Sequence, residues 1–316
     1  MKKVELNEQI SSHHEAVLKV FCYYDVFNHP LTPNEIEKNL SIEISSYFLY
    51  TALSDLVDMG LLSSFNDYYF LHTKQKSIVA SRLEKEKRAK EFMRKSTFFT
   101  RLISSFPFVE AVCISGSLSK GVMEPDGDID YFIITTPQRL WLCRSFLILF
   151  KKLFLFNSHK YFCVNYFVDT NNLIIPDENL FTATEVSSLL PVVNHKLYQK
   201  FMSANNWVQN YFPNTSLRNA DNCIAQKKNL LKRFAEFVLG GSIGEYIDNL
   251  FFKLTLKRWK KKFPHFTSTD FNLNLRTRKT VSKHHPRGYQ QKVLQRYNEQ
   301  LATISENLKT KAVKVA

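Results

Sequence analysis

Glycine and proline are scarce in this chain, at 8 and 10 of 316 residues. Their scarcity excludes collagen-like and low-complexity architectures, and with 44% hydrophobic and 14% aromatic residues the chain can fill the cores of two compact domains or three. Cysteine is sparser still. Cys22, Cys113, Cys143, Cys163 and Cys223 are odd in number and widely spaced, with no CxxC pair to suggest zinc or redox work, so they read as reduced thiols in a cytoplasmic protein. A long uncharged apolar run is also missing. The greasiest stretch, LWLCRSFLILFKKLFLF from Leu140, is broken by Arg144, Lys151 and Lys152, which predicts a buried helix and no membrane span. The opening MKKVELNEQISSHHE has a basic start but no apolar core, so it does not read as a signal peptide.

What the C-terminal third lacks is negative charge. Lys and Arg against Asp and Glu number 4 to 10 in residues 1–72, 10 to 3 in 73–101, 9 to 9 in 102–220 and 20 to 7 in 221–316, within a net charge of +14. Any polyanionic partner should meet the last segment.

The N-terminal unit reads as three helices and a hairpin. Val17, Leu18, Phe21 and Cys22 keep helical spacing. Thr32, Pro33 and Glu35 then supply an N-cap, a first-turn proline and a capping-box acid. A third helix packs Phe48, Leu49, Ala52, Leu53, Leu56 and Val57 before Gly60, and LLSSFNDYYFLH forms two strands around Asn66-Asp67. The pattern resembles a winged helix-turn-helix domain, which implies DNA binding. Yet the would-be recognition helix offers Ser46, Tyr47, Tyr50, Ser54, Asp55 and Asp58 and no cation, which favours a packing or dimerisation module. Residues 76–105 read as a charged connecting helix.

The chemistry concentrates in ISGSLSKGVMEPDGDIDYFII, residues 114–134. Asp128 and Asp130, at i and i+2, lie on one face of an apolar strand, where two carboxylates repel unless a cation sits between them. The order strand, Gly-Ser turn, aspartate strand, helix, strand is that of an α/β palm. These residues resemble the nucleotidyltransferase superfamily, whose motif is a Gly-Ser pair, roughly ten residues, then Asp-apolar-Asp-apolar; Gly116, Ser117, Asp128 and Asp130 match it. The resemblance implies Asp128 and Asp130 as ligands of Mg²⁺ or Mn²⁺, with a nucleoside triphosphate, ATP first among them, as substrate. Gly116 lets backbone approach phosphate, Ser117 donates to it, and Lys120 is a candidate phosphate contact.

Family members carry a third carboxylate on the next strand. In KYFCVNYFVDT alternation sets Cys163, Asn165 and Phe167 on one face and Phe162, Val164, Tyr166 and Val168 on the other, so the central polar residue is an amide, which cannot act as a general base. Asp169 at the strand's end is the candidate third ligand and catalytic carboxylate, with Glu185 in reserve. Tyr198, Trp207 and Tyr211 fall in a helical stretch, as core or base-stacking residues. EYIDNLFFKLTLKRWKKKFPHF forms an amphipathic basic helix suited to RNA, to an anionic membrane surface, or to packing on the acidic N-terminal unit. His284 and His285 read as surface or phosphate-facing.

The organisation expected is therefore an α/β protein: a winged-helix-like domain (1–75), a connecting helix (76–105), a nucleotidyltransferase palm (106–192) and a basic helical region (193–316). The expected reaction moves a nucleoside monophosphate from a triphosphate to a hydroxyl acceptor, releasing pyrophosphate. Two rival readings stand beside it: a nucleotide-sensing or DNA-binding regulator without turnover, and an RNA 3′-end nucleotidyltransferase using the basic third.

Overall fold

The computed structural model describes residues 11–315 apart from 222 and 227, and side chains up to Glu306. Most of the segment weighed as a leader, residues 1–10, lies outside the described residues.

Three short helices open the chain: α1 (Ser12–Asp25), α2 (Pro33–Lys38) and α3 (Ser46–Asp58). The capping box of Thr32 and Glu35 forms as its spacing requires, with Thr32 Oγ1 accepting from the Glu35 amide and Glu35 accepting from the Thr32 amide. β1 (Leu62–Phe65) and β2 (Tyr68–Leu71) pair around Asn66 and Asp67, both at positive φ as a two-residue hairpin demands, and Leu31 bridges Tyr69. The unit closes over Val17, Phe21, Leu49, Leu53 and Leu56. Phe48 departs from the expected pattern: it is 52% exposed and stacks on His13.

α4 (Ser77–Ser104) is the connecting helix, in the expected place. It leads to a six-stranded mixed sheet of order β6-β3-β4-β5-β8-β7, built from β3 (Val109–Ser115), β4 (Asp130–Thr135), β5 (Cys163–Asp169), β6 (Leu190–Val193), β7 (Thr277–Arg278) and β8 (Val281–Lys283). Only β4 and β5 are parallel, as the crossover through α6 (Leu140–Phe154) requires; the other neighbours run antiparallel.

Both faces of the central strands are apolar because both are covered. Val112, Ile114, Tyr131, Ile133 and Val164 pack on one side with Phe92 of α4, Trp141 of α6 and Trp259 of α10 (Ser242–Lys262). Ala111, Cys113, Phe132, Ile134 and Val168 pack on the other with Val186 of α7 (Leu180–Ser187) and with Tyr198 and Phe201 of α8 (His195–Ala204). The Leu140 segment is thus a buried helix, and no helix among the described residues is long and apolar enough to cross a membrane. Tyr198 and Trp207 are core residues.

LPVV is an edge strand, where Pro191 has no amide hydrogen to give and sits where none is needed. One expectation about the C-terminal half is corrected: the region 193–316 is not wholly helical, because β7 and β8 extend the sheet along β5. Between α8 and these strands lie α9 (Leu230–Leu239), α10 and α11 (Ser268–Asn274). α10 packs against α6, with Trp141 ringed by Phe252 and Trp259, rather than on the N-terminal unit. The last helix, α12 (Tyr289–Val315), is the one that returns to that unit, placing Val293 and Tyr297 in its core.

Candidate functional site

The first strand of the site ends in a turn that only glycine suits. Ser115 pairs with Asp130 across β3 and β4, and Gly116 follows at φ +68°, opening the one-turn α5 (Gly116–Ser119). A Cβ built on Gly116 would lie 2.6 Å from Asp130 Oδ2. The glycine therefore answers two demands, left-handed backbone and close approach to a carboxylate. Ser117 stands beside it, half-buried.

Asp130 is the electrostatic centre. Burial, the Asp128 carboxylate and the more distant charge of Glu185 push its carboxyl up to about 7, against relief from Cys163 and Asn165. Asn165 Nδ2 donates to Asp130 Oδ1 at 2.7 Å. It can do so because β5 bulges: Tyr131 pairs with Val164 and Phe132 with Tyr166, leaving Asn165 as the extra residue. The bulge resets the alternation. Phe167 joins Val164 on the α6 side, while Tyr166 packs its ring 5.2 Å from Phe132 on the other, which reverses the faces that strict alternation assigns to both.

Asp169 does not reach this centre. In the parallel register Asp130 lies opposite Cys163 and Thr135 opposite Asp169, so Asp169 sits about 17 Å along the strand at about 3.3 Å per residue. Its buried carboxylate accepts from the Asn171 amide at 3.0 Å and folds the turn after β5. The expectation that Asp169 completes the metal site is corrected on geometry: a seven-residue strand separates its ends too widely.

Glu185, the reserve, comes in from α7. Its carboxylate meets Lys120 Nζ at 2.7 Å, and Lys120 also donates to the Gly116 carbonyl at 3.3 Å. Lys120 therefore braces the turn and neutralises Glu185. Asp128 begins a different constellation: its carboxylate, a His159 ring nitrogen and Cys163 Sγ all lie within 4.8 Å of one another. Asp128 and His159 also line an open cleft of ≈ 570 Å³ with Asp126, Lys160 and Arg287. The buried Lys151 lies 3.3 Å from His159 Nδ1, and burial lowers the pKa of both groups. His159 and Cys163 escaped the sequence reading. Cys163 precedes Asn165 by two, so alternation alone already aimed it at Asp130, whereas nothing local marks His159.

His284 and His285 are packed rather than superficial. The His284 amide donates to the Asn165 carbonyl and its ring lies 4.7 Å from Trp259; burial drives the two imidazoles down to about 3 and about 4, so both are neutral at pH 7. The next level of the same face is a polar row. Arg276 pairs with Asp177 at 2.6 Å, and Lys283, opposite Tyr166, reaches Asp177 at 3.6 Å.

A metal ion fits this donor set in two ways. Asp128 and Asp130 offer hard oxygens, and their mutual repulsion is relieved by a divalent cation. Asp128, His159 and Cys163 offer oxygen, nitrogen and sulfur, a set suited to a borderline ion such as Zn²⁺. Comparison of the chain with protein-family models, with curated proteins and with solved structures finds no match.

Proposed function

We propose that the chain is a metal-dependent nucleotidyltransferase that moves a nucleoside monophosphate from a triphosphate, ATP first among them, to a hydroxyl acceptor. One observation carries the reading: Gly116, the first residue of the Gly-Ser turn, lies directly against Asp130, where a Cβ would stand 2.6 Å from the Asp130 carboxylate. Asp128 and Asp130 would hold Mg²⁺ or Mn²⁺, which when bound neutralises phosphate charge and favours the ionised form of an attacking hydroxyl. Gly116 lets the Asp130 carboxylate approach the turn's backbone, Ser117 offers a hydroxyl donor in the turn, and Lys120 fixes the turn's carbonyl. Asn165 holds Asp130 in one orientation through Oδ1, leaving Oδ2 on the Gly116 side. Glu185 replaces Asp169 as the third carboxylate. Released from Lys120 by a competing phosphate, it is the group able to accept the acceptor's proton. The N-terminal unit is read as a winged-helix-like packing module, because α3 exposes Tyr47 and Tyr50 and no cation.

The test is to incubate the protein with Mg²⁺, each α-labelled triphosphate and a cell extract supplying acceptors. Label transfer with pyrophosphate release supports the reading; labelled triphosphate returned intact under every condition defeats it. A second reading, a sensor that binds nucleotide without turnover, is favoured by Asn165 and by the Lys120–Glu185 pair, and it predicts Mg²⁺-dependent binding with no pyrophosphate. An RNA 3′-end acceptor is less well supported, since α10 packs on α6 through Phe252 and Trp259 and lends no side chain to the contacts of Asp130.

A further inference from the structure

α9 is built inside out. Its inward residue is a lysine: Lys232 is 1% exposed and its ammonium donates to the carbonyls of Ser104 at 3.0 Å and Val109 at 2.7 Å. Leu230, Leu231, Phe234 and Phe237 meanwhile stand 81%, 81%, 68% and 85% exposed. With Val238 they fall at i, i+1, i+4, i+7 and i+8, a single apolar stripe facing outward. Past Gly240 and Gly241, α10 does the same. Ile243, Tyr246, Leu250 and Leu254 are exposed at steps of three and four, and the same stripe continues into exposed Lys257 and Lys261. The opposite side of α10, with Asp248, Phe252 and Trp259, is the one that packs on α6. Exposed apolar area of this extent marks a docking surface.

Charge identifies the partner. Every fully exposed charged residue on α9 and α10 is a cation: Arg233, Lys253, Lys257, Arg258 and the run Lys260 to Lys262; Glu236 and Glu245 are half-buried and Asp248 is buried. We propose that α9 and α10 dock on an anionic lipid bilayer surface, the leucines and phenylalanines entering the headgroup boundary and the lysines facing lipid phosphate. A second copy of the chain would cover the same leucines but set two cationic helices against each other. RNA would take the cations and leave Phe234 and Phe237 in water. No described helix is long and apolar enough to span the bilayer, so the contact is with its surface. The stripe shares no residue with the Asp130 site, and the proposal does not depend on the nucleotide reading.

The experiment is sedimentation of the full chain with vesicles of phosphatidylcholine alone and of phosphatidylcholine mixed with phosphatidylglycerol, beside light scattering without lipid. The protein is expected to pellet with the mixed vesicles and to be released by salt. Lys257→Glu with Lys261→Glu should weaken partitioning by about fivefold for each cation removed. Phe234→Glu with Phe237→Glu should abolish it, and because both side chains are exposed the variant should melt as wild type does. Wild-type protein left in the supernatant by both vesicle types overturns the proposal. In that event a dimer dissolved by the phenylalanine variant assigns the stripe to self-association, and retention of labelled RNA lost only in the lysine variant assigns it to nucleic acid.

Discussion

The two ends of the parallel pair β4–β5 each carry an aspartate, and they behave differently. At one end Asp169 is buried, which raises its carboxyl above the ordinary range, but backbone amides of the turn that follows pull against that rise and give it a local use. At the other, Asp130 receives a single side-chain amide, faces Asp128 and Glu185, and holds its proton up to about 7. A carboxylate whose lone pairs are taken by neighbouring amides is part of the scaffold. A pair left to repel each other beside a glycine with no room for a methyl group is what the proposed reading takes for a cation site.

The sharpest way to break this contrast is Asp130→Asn or Asp128→Asn. Each should lower nucleotide transfer on the order of 10²–10³-fold or more while circular dichroism stays native and melting of the metal-free protein at neutral pH holds or rises, since carboxylate repulsion is relieved. Unchanged turnover in either would remove the distinction between the two ends. Gly116→Ala comes next. The new methyl meets Asp130 Oδ2 and sits at positive φ, so a cost of about 1–2 kcal/mol in stability and a loss of metal-dependent nucleotide binding should be measured together by denaturant titration and calorimetry.

A pH experiment sharpens the same point. With Asp130's folded pKa near 7 against an ordinary 3.8, the unfolded chain loses the proton first, so stability present below about pH 4 falls as pH rises towards 7. Melting of the metal-free protein should record that slope, Asp130→Asn should flatten it, and divalent metal should restore stability above pH 7. Asp169→Ala should do the reverse of the site variants, costing about 1–3 kcal/mol of stability through unmet amides while leaving the activity of the folded protein unchanged. Glu185→Gln is the smallest effect expected on binding, with turnover lowered on the order of 10²-fold through loss of the base.

Much of this was legible because it is local. The Thr32-Pro33-Glu35 cap, the Asn66-Asp67 hairpin and the 28-residue connecting helix each follow from neighbouring residues. So does the order of strand, Gly-Ser turn and aspartate strand, marked by the apolar runs on either side of the turn. What was not legible depends on register or on distant chain. The bulge at Asn165 changes which residues of β5 share a face, and no rule of alternation announces it. Glu185 is brought in by α7, from a different covering layer, and β7 and β8 join the sheet from more than a hundred residues away. Asp169 was chosen for its residue type. The length of the strand excluded it.

The most direct test sets the two ends against each other in one calorimeter. ATP titrated with Mg²⁺ into the wild-type chain, into Asp130→Asn and into Asp169→Asn should give binding in the first and third and none in the second. Binding that survives in Asp130→Asn, or that disappears only in Asp169→Asn, would contradict the account.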